Sequence, residues 1–372
     1  MNTVSTTIDD LIKRAPALNT QIYDLVREIA LRSKAGQRLE SERLLAEKFK
    51  VSRPTVRNAL DQLQAEGLIE KIHGKGSYVT KKAGASKAAV LFYSNAKGLN
   101  AGIYQRYYNG ILSVVSGTRH DVLTLCNSDP HLSGPAIELI PNDVDVILTL
   151  GIMDSEYIRR LEQLGIPVIT ADYDLPGSKT DSVSYDTFGA GYVLTDHLIS
   201  LGHTGIVFIG GYRGSETTRV IPEADSLKMQ AGVEYRLRMG GIDIKPEQIR
   251  QLSIGDSAAA RRLAQHFVTE QDDSTAFVFF DSTHASAFVQ AARSHNLNVP
   301  TDVSLCSFGY DIADASFINA MTTAPTDSDL LGRAAGQLLF QRLENPALPP
   351  ARVTLPSQLT ERGTTAPPKR KA

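Results

Sequence analysis

Cations and hydroxyl groups recur between residues 39 and 79 at spacings that suit hydrogen bonding to a polyanion. Arg53, Thr55 and Arg57 surround the start of a predicted helix, so they point outward while the apolar positions between them face a core. A basic turn rich in glycine follows at residues 73–76, where the backbone could approach a phosphate closely. Because an arginine fork can hydrogen-bond two acceptors on one guanine, this pattern favours contact with DNA.

Local signals predict the elements that hold these side chains. An amphipathic helix begins at Asn19, and Ser41 is placed to cap a second helix over residues 42–49. Ser52 can cap a third helix, whose early proline is tolerated because the amide that it lacks has no partner there. Glycine ends that helix, and two short strands flank the basic turn. The side chains predicted to be buried in the second and third helices are Leu44, Leu45, Phe49, Val56, Leu60 and Leu63.

The distribution of charge is compatible with the same kind of partner. Residues 1–87 contain 16 Lys and Arg against 10 Asp and Glu, a net charge of +6, whereas the remainder carries −8. A basic small module on an acidic larger one suggests a polyanionic partner for the first part alone. A solvated charged face would give the same totals. The spacing of the residues therefore has to decide between a polyanionic partner and a solvated face.

The segments SERLLAEKF, VSRPTVRNAL, LQAEGLIE and HGKGSYV resemble the winged helix-turn-helix domain of GntR-family bacterial regulators. The resemblance implies an α+β domain over residues 15–80 that binds double-stranded DNA. The residues that it assigns to DNA contact are Arg43, Ser52, Arg53, Thr55, Arg57, His73 and Gly74. Among the cations, we expect Arg57 to read a guanine with two hydrogen bonds, and Arg43 and Lys75 to contact phosphates.

The pattern of residues changes after a short basic linker at residues 81–87. From residue 88 onward, apolar β-rich runs such as VDVILTL, IPVITAD and AFVFFD alternate with helical stretches. This alternation predicts parallel α/β sheets with right-handed crossovers, and a span of about 280 residues favours two lobes over one sheet. The polar tail at residues 367–372 is predicted to be disordered.

The larger part of the sequence lacks the signatures of common enzymes. It has no P-loop, no G-x-S-x-G elbow and no G-x-G-x-x-G fingerprint, and the glycines of GGYRG do not match one. Asp172 and Asp174 follow a strand, at the edge where open α/β sheets bind ligands. No base–nucleophile pair or metal-ligand cluster accompanies them. The sequence therefore predicts a binding protein without a cofactor or metal, and not an enzyme.

Residues 88–366 resemble the effector-binding domain of LacI/GalR-family repressors. The resemblance is carried by SYDTFGAGYVLTDHLISLGHTGIVFIGG, NVPTDVSLCSF, MTTAPTDSDLLGRAAGQLLFQRLENP and RVTLPSQLTERGTT. It implies two Rossmann-like lobes of the periplasmic-binding-protein type, a ligand in the cleft between them, and a homodimer. It also implies three crossovers between the lobes, near Thr187, near residues 308–310 and within residues 322–327.

The same resemblance indicates a set of cleft residues, or residues adjacent to cleft positions: Tyr104, Tyr107, Asp172, Asp186, Lys228 and Asp281. Both tyrosines could instead be core aromatics on a helix, and Asp186 could cap the helix that follows it. Three positions depart from the family pattern, with Met229 in place of the usual arginine, Gly309 in place of the usual aspartate and Thr326 in place of a late glutamine. Arginine and aspartate commonly hold sugar hydroxyls, so these departures leave the identity of the effector undetermined.

Together these patterns predict a homodimeric, one-component transcription regulator, with repression as the family expectation. A sugar-like molecule between the lobes would control binding to a pseudo-palindromic operator. The alternative is a constitutive DNA-binding dimer whose second domain no longer binds an effector. The first residues lack a secretory signal and no apolar run could span a membrane, so the cytoplasm is expected. Cys126 and Cys306 lie in apolar strand-like runs and are predicted to be buried.

Overall fold

The computed structural model of the chain describes nine ranges of residues. They are 18–33, 36–80, 86–93, 101–118, 120–127, 134–213, 221–269, 274–310 and 320–369. Contacts divide the chain into two compact units, one holding the residues up to 88 together with 117–123 and 143–145, and the other holding the rest. Within the described ranges, no helix is long and apolar enough to cross a membrane.

Three helices and a two-stranded hairpin form the N-terminal fold. In chain order they are α1 (Leu18–Arg32), α2 (Glu42–Phe49), α3 (Arg53–Ala65), β1 (Ile69–Ile72) and β2 (Gly76–Val79). The strands pair antiparallel, with Ile69 opposite Val79. One apolar core joins all five elements, and its buried members include Val26, Leu45, Val56, Leu60, Leu63 and Val79. This is the winged helix-turn-helix arrangement that the sequence predicts.

Serine hydroxyls cap both α2 and α3. Ser52 Oγ accepts a hydrogen bond from the Thr55 N–H at 3.4 Å, and Ser41 Oγ accepts one from the Leu44 N–H at 3.3 Å. Ser52→Ala leaves an amide at the start of α3 without this partner, so we expect it to lower the free energy of unfolding by about 0.5–2 kcal/mol. Urea denaturation followed by circular dichroism measures the loss. Gln64→Ala, at an exposed position of the same helix, is the matched control, and equal stabilities would contradict the capping role.

Burial along α2 differs from the sequence prediction. Leu45 and Ala46 are buried, whereas Leu44 is 45% exposed and Phe49 is only partly buried. The helix has two turns and contacts the core along a narrow stripe, so only one side of it is covered. The prediction for Leu44 was therefore wrong, and the small side chain of Ala46 takes its place in the interface.

The larger part of the chain alternates strands and helices. In chain order the elements are β3 (Lys87–Tyr93), α4 (Ala101–Val115), β4 (Asp121–Asn127), β5 (Val146–Leu150), α5 (Ser155–Glu162), β6 (Val168–Ala171), β7 (Asp181–Tyr185), α6 (Thr187–Ser200), β8 (Ile206–Arg213), β9 (Ile221–Pro222), α7 (Ala224–Met239), β10 (Ile249–Ser253), α8 (Ser257–Thr269), β11 (Ala276–Phe279), α9 (Ser282–Ser294), β12 (Ser304–Tyr310), β13 (Thr322–Thr326), α10 (Ser328–Glu344) and β14 (Arg352–Leu355). Of the predicted linker, residues 81–85 lie outside the described ranges, and Lys87 already belongs to β3.

These strands form two sheets of six strands each. The amino-lobe sheet has the order β14-β7-β6-β5-β3-β4, and the carboxy-lobe sheet has the order β10-β8-β11-β12-β13, with β9 paired to β8. The pairings of β5 with β6, β6 with β7, β8 with β11 and β11 with β12 are all parallel. The predicted architecture of two parallel α/β lobes is confirmed.

Over the ranges that the structure describes, the chain passes between the two lobes three times. It leaves β7 for the carboxy lobe at Thr187, and it leaves β13 for the amino lobe at Ser328. The third passage follows β14, because Thr360 then forms a bridge with Thr323 of the carboxy-lobe sheet. The predicted crossover at residues 308–310 was wrong, since these residues belong to β12, which pairs with β11 and β13 inside one sheet.

Close packing of α4 against α10 fixes the position of the α4 tyrosines. A Cβ at Gly110 would lie 2.8 Å from the Gly332 Cα, so the two helix backbones meet there with no room for a side chain. A Cβ at Gly332 would likewise collide with the backbone carbonyl of Tyr107. Tyr107 is fully buried beside this contact. The helix pair therefore holds Tyr107 in the interior.

One expectation about exposure and one about order differ from the structure. Cys126 is exposed on β4, which lies at the edge of its sheet, whereas Cys306 is buried in the interior strand β12 as predicted. The tail predicted to be disordered is ordered over its first three residues, where Lys369 forms an ion pair with Asp302. Residues 370–372 lie outside the described ranges.

Candidate nucleic-acid interface and ligand cleft

The start of α3 carries three of the side chains predicted to read DNA. Arg53 and Arg57 are exposed there, and Thr55 is partly exposed. The hydroxyl oxygens of Ser52 and Thr55 lie 2.9 Å apart, so these two side chains hold each other at the helix cap. Arg53 makes no side-chain hydrogen bond or ion pair with any described residue, which leaves its five N–H donors available.

Carboxylates of α2 hold the other two predicted arginines. The Arg57 guanidinium donates to Glu42 Oε2 from Nε at 3.2 Å and from Nη2 at 2.9 Å, and this hydrogen bonding is the main cause that raises the pKa of Arg57. Arg43 pairs with Glu47 at 3.1 Å. Surface ion pairs contribute little stability, so DNA could replace either carboxylate readily. The sequence prediction missed Glu42, because no local signal links residues 15 positions apart.

The turn between β1 and β2 carries the remaining predicted DNA contacts. His73, Gly74 and Lys75 are all exposed there, and Gly74 has a φ of +73°, in the left-handed region that favours glycine. Sequence reasoning missed Arg38, whose guanidinium lies against Gly76 at the base of the turn. A basic residue just before a capped helix was the available signal, but only the pairing of Arg38 with β2 shows its proximity to the turn.

Tyr104 lies at the carboxyl edge of the amino-lobe sheet. Its ring packs against Gly151, which directly follows β5 and has a φ of +63°, and a Cβ at Gly151 would collide with that ring. The ring of Tyr107 lies behind it, with the two centroids 6.0 Å apart and the rings edge to face. Tyr104 is therefore placed where a cleft ligand could contact it, whereas Tyr107 occupies the core position that the sequence left open.

Asp172 and Tyr185 are polar residues at the same carboxyl edge of the amino-lobe sheet. Asp172 follows β6, is 5% exposed and has a φ of +65°, a backbone conformation that non-glycine residues adopt mainly under local constraint. Burial raises the pKa of Tyr185, and the Asp172 charge raises it further. The Tyr185 hydroxyl donates to the Asp327 carbonyl at 3.0 Å and also interacts with the side chains of Tyr107 and Thr326. Tyr185 was not predicted.

Asp186 and Asp281 both cap helices. Asp186 Oδ1 accepts from the Gly189 N–H at 2.7 Å at the start of α6, and Asp281 Oδ1 accepts from the Thr283 N–H at 2.8 Å at the start of α9. The capping alternative for Asp186 is therefore the contact that forms, and Asp281 makes the same contact. Each cap uses one carboxylate oxygen, so the second oxygen could still accept a hydrogen bond from a ligand.

Lys228 joins the two lobes through a network of ion pairs. Its Nζ lies 3.5 Å from Asp174 of the amino lobe and 3.3 Å from Asp225 on its own helix, while Asp174 also pairs with Arg352 at 2.6 Å. Burial raises the pKa of Asp225, and the Lys228 charge opposes that shift. Sequence reasoning missed Asp225 and Arg352, since only the fold brings β14 beside the loop after β6. Met229 is fully buried, so it presents an apolar side chain where the family has arginine.

Each domain matches a known family model. Residues 18–79 match the bacterial regulatory proteins of the gntR family, and residues 195–365 match the periplasmic binding protein-like domain. The chain joins a GntR-family DNA-binding domain to a periplasmic-binding-protein-like domain. The first match covers α1 to β2, and the second covers most of the carboxy lobe together with α10 and β14 of the amino lobe.

This chain is similar to bacterial transcription regulators. It is 24% identical over 340 residues to the arabinose metabolism transcriptional repressor of Geobacillus stearothermophilus, a similarity that spans 84% of this chain and 86% of that protein. It is 28% identical over 231 residues to the repressor PurR of Haemophilus influenzae, which spans 59% of this chain and 64% of that protein. By its two domains, the chain is a DNA-binding transcription regulator.

Solved structures share the fold of this regulator at low sequence identity. A LacI-family regulator from Enterococcus faecium with bound ribose is 20% identical, covers 76% of this chain with all of its own, and has a TM-score of 0.60. The complex of the regulator CelR with cellobiose is 19% identical, covers 85% of this chain and 92% of its own, and has a TM-score of 0.62. At this identity the likeness supports the fold, and the cleft has to be interpreted from its own residues.

Proposed function

We propose that this regulator is a repressor whose affinity for its operator is controlled by a sugar-like molecule bound between the two lobes. The observation that carries the proposal is the combination, on one chain, of an exposed helix-turn-helix surface with a two-lobed α/β domain. A relative similar over both parts is named as an arabinose metabolism repressor, and two neighbours in fold were solved with ribose and with cellobiose.

The DNA-facing surface consists of the start of α3, the β1–β2 turn and one side of α2. Its contacts are Arg43, Ser52, Arg53, Thr55, Arg57, His73, Gly74 and Lys75. The N-terminal residues of α3 enter the major groove, and the turn lies against the phosphate backbone. Two copies of this surface in a homodimer would bind a pseudo-palindromic operator, because the symmetry of the site mirrors that of the protein. The protein acts in the cytoplasm as a binding protein and not as an enzyme.

The effector occupies the cleft at the carboxyl edges of the two sheets. Tyr104 stacks on it, and Asp172, Asp186, Asp281 and Lys228 hydrogen-bond to its polar groups. Lys228 is already tied to Asp174 across the lobes, so a ligand that alters this pair also alters the relation between the lobes. Closure about the three crossovers changes the order or spacing of the two winged helices. Effector and operator then change each other's affinity by the same factor.

Asp172→Asn is expected to weaken sugar binding about tenfold while leaving effector-free operator binding unchanged, because a hydrogen bond to a charged acceptor contributes more than one to an amide. Asparagine tolerates the positive φ of this position, so the backbone can be kept. Calorimetry with the sugar that releases the operator measures the first effect, and fluorescence anisotropy on operator DNA measures the second. Asp243→Asn, at an exposed position, is the control. Loss of operator binding in Asp172→Asn would mean that the residue is structural.

A constitutive DNA-binding dimer is the second candidate function. Buried Met229 and the bare backbone of Gly309 favour it, since both replace groups that hold ligands in the family. An operator can be selected from random double-stranded DNA with the full-length protein, and its affinity measured with and without a panel of sugars. Release by any sugar supports the effector-controlled repressor. Equal affinity with every sugar, combined with tight operator binding, supports the constitutive dimer.

A further inference from the structure

Three helices that begin at the cleft share one local arrangement. In each, an aspartate caps the helix and a hydroxyl residue occupies the first helical position: Asp186 and Thr187 at α6, Asp281 and Ser282 at α9, and Asp327 and Ser328 at α10. The three aspartates accept helix N–H groups at 2.7–2.8 Å. The three hydroxyl residues are 3%, 2% and 4% exposed, and none of their hydroxyl oxygens has a hydrogen-bond partner among the described residues.

Buried hydroxyls without partners are rare, because water satisfies them when the protein is unfolded. Three of them in equivalent positions on three helices therefore call for a physical reason. The strands before these helices are β7, β11 and β13, so each hydroxyl lies at the carboxyl edge of a parallel sheet. Open α/β sheets bind their ligands at this edge. The three hydroxyls are therefore placed to serve a ligand of the cleft.

The three helix starts are linked indirectly, through contacts of Gly309 and of Tyr185. Ser282 Cβ would lie 3.7 Å from a Cβ at Gly309, and the Gly309 carbonyl accepts a hydrogen bond from Thr326 Oγ1 at 3.0 Å, two residues before Ser328. The Tyr185 hydroxyl, two residues before Thr187, donates to the Asp327 carbonyl. A Cβ at Gly309 would make ordinary van der Waals contacts, 3.6 Å from Thr323 Cγ2 and 3.7 Å from Ser282 Cβ.

The described residues at this edge carry charges that are either negative or already paired. Each helix N-terminus carries a capping aspartate, so the partial positive charge of the helix dipole is offset before any ligand arrives. Asp172 adds a further buried carboxyl group at this edge. The described cations nearby, Lys228 and Arg352, are both paired with Asp174. Among the described residues at this edge, a phosphate or carboxylate would meet several acidic groups and no lysine or arginine that is free of a partner.

We propose that the cleft binds an uncharged polyhydroxyl ligand, a free sugar in preference to a sugar phosphate or sugar acid. The hydroxyls of Thr187, Ser282 and Ser328 hydrogen-bond to it. A hydroxyl both donates and accepts, as does each hydroxyl of a sugar, so the two sets can satisfy each other without any charge. These side chains replace the polar groups that are absent at Met229 and Gly309. The inference rests on the proposed function, in that it names the class of effector for the same cleft.

The first test compares neutral and charged probes on the full-length protein. L-arabinose, D-ribose and cellobiose are titrated beside D-ribose 5-phosphate, D-glucose 6-phosphate and D-gluconate, with thermal shift as the screen and calorimetry for the dissociation constant. At least one neutral sugar is expected to bind, at least tenfold more tightly than every charged probe. A charged probe that binds as tightly as the best neutral sugar overturns the proposal, and so does the absence of binding by all three neutral sugars.

The second test compares two serines at opposite ends of α9. Ser282→Ala is expected to weaken binding of that neutral sugar about tenfold and to leave the ligand-free Tm unchanged or higher, because the lost hydroxyl has no partner in the free protein. Ser294→Ala, whose hydroxyl is bonded to the Gln290 carbonyl, is expected to leave sugar binding unchanged. Unchanged sugar binding in Ser282→Ala overturns the residue assignment, as does a lower ligand-free Tm, which indicates a structural role.

Operator binding separates failure of this inference from failure of the proposed function. If a sugar phosphate both binds and releases the operator, the proposed function stands and the neutral-ligand inference is wrong. If a neutral sugar binds through Ser282 but operator affinity does not change, the inference stands and effector control is wrong.

Discussion

Arg342→Ala is expected to lower the free energy of unfolding of the effector domain by about 3–5 kcal/mol. The Arg342 guanidinium forms a two-point pair with Asp181, from Nε at 2.8 Å and from Nη2 at 2.7 Å, and both residues are almost fully buried. It also donates to the carbonyls of Pro346, Leu348 and Pro349. Alanine would leave a buried carboxylate without its counter-charge and three carbonyls without their donor.

Thermal denaturation of the full-length protein measures this loss, which corresponds to a decrease in Tm of roughly 6–20 °C for a domain of this size. The control is Arg238→Ala, because Arg238 pairs with Glu234 at 3.3 Å on the surface, where its side chain is 71% exposed. We expect less than about 1 kcal/mol from the control.

A double variant tests whether the unpaired charge is the cause. Asp181→Leu combined with Arg342→Met removes both charges and keeps most of the buried volume. It is expected to be more stable than Arg342→Ala alone, because no uncompensated carboxylate remains. Equal stability of Arg342→Ala and Arg238→Ala would contradict the role given to the buried pair.

The sequence predicted the N-terminal domain well because its signals are local. A serine cap involves residues three positions apart, and the caps at Ser41 and Ser52 both formed where predicted. Leu44 was wrong because periodicity gives the side of a helix but not how much of that side a neighbour covers. The pairing of Arg57 with Glu42 could not be foreseen, since it joins two helices whose relative placement depends on the whole domain.

The lobes of the larger domain were predicted from alternation, but the assignment of strands to lobes was not fully correct. Buried parallel strands are apolar on both faces, so their composition does not tell which sheet a strand joins. The family resemblance implied a crossover at residues 308–310, which lie instead in the interior strand β12. The crossover at Thr187, implied by the same resemblance, is where the chain leaves β7 for α6.

The hydrogen-bond and ion-pair partners of the cleft side chains could not be predicted from local sequence either. An aspartate followed by serine or threonine occurs eight times in the sequence, so the dipeptide alone does not single out the three at α6, α9 and α10. That the neighbouring hydroxyls have no partner depends on how the three helices are packed, which no local pattern records. Asp225 and Arg352 were missed for a related reason, because β14 and α7 reach Asp174 only in the folded protein.

Arg57→Ala is expected to weaken operator binding roughly 5- to 150-fold and to relax the preference for one base pair, which is the effect of losing a two-point contact to guanine. The carboxylate of Glu42 already aligns the Nε and Nη2 donors of Arg57 in the free protein. A guanine edge offers two acceptors to the same fork, so binding exchanges one partner for another. Arg53→Ala is expected to act in the same range, because Arg53 has no partner to give up.

Fluorescence anisotropy on the selected operator, at several salt concentrations and with single base-pair changes, separates base contacts from phosphate contacts. Lys75→Ala should weaken binding to all sequences alike and reduce the salt slope by about one, whereas Arg57→Ala should change the base preference. Glu42→Gln tests whether Arg57 contacts a base or serves only as the ion-pair partner of Glu42. If Arg57 serves only as the partner of Glu42, both variants will lose affinity alike and keep the wild-type base preference. If Arg57 reads a base, Glu42→Gln will keep that preference while Arg57→Ala loses it.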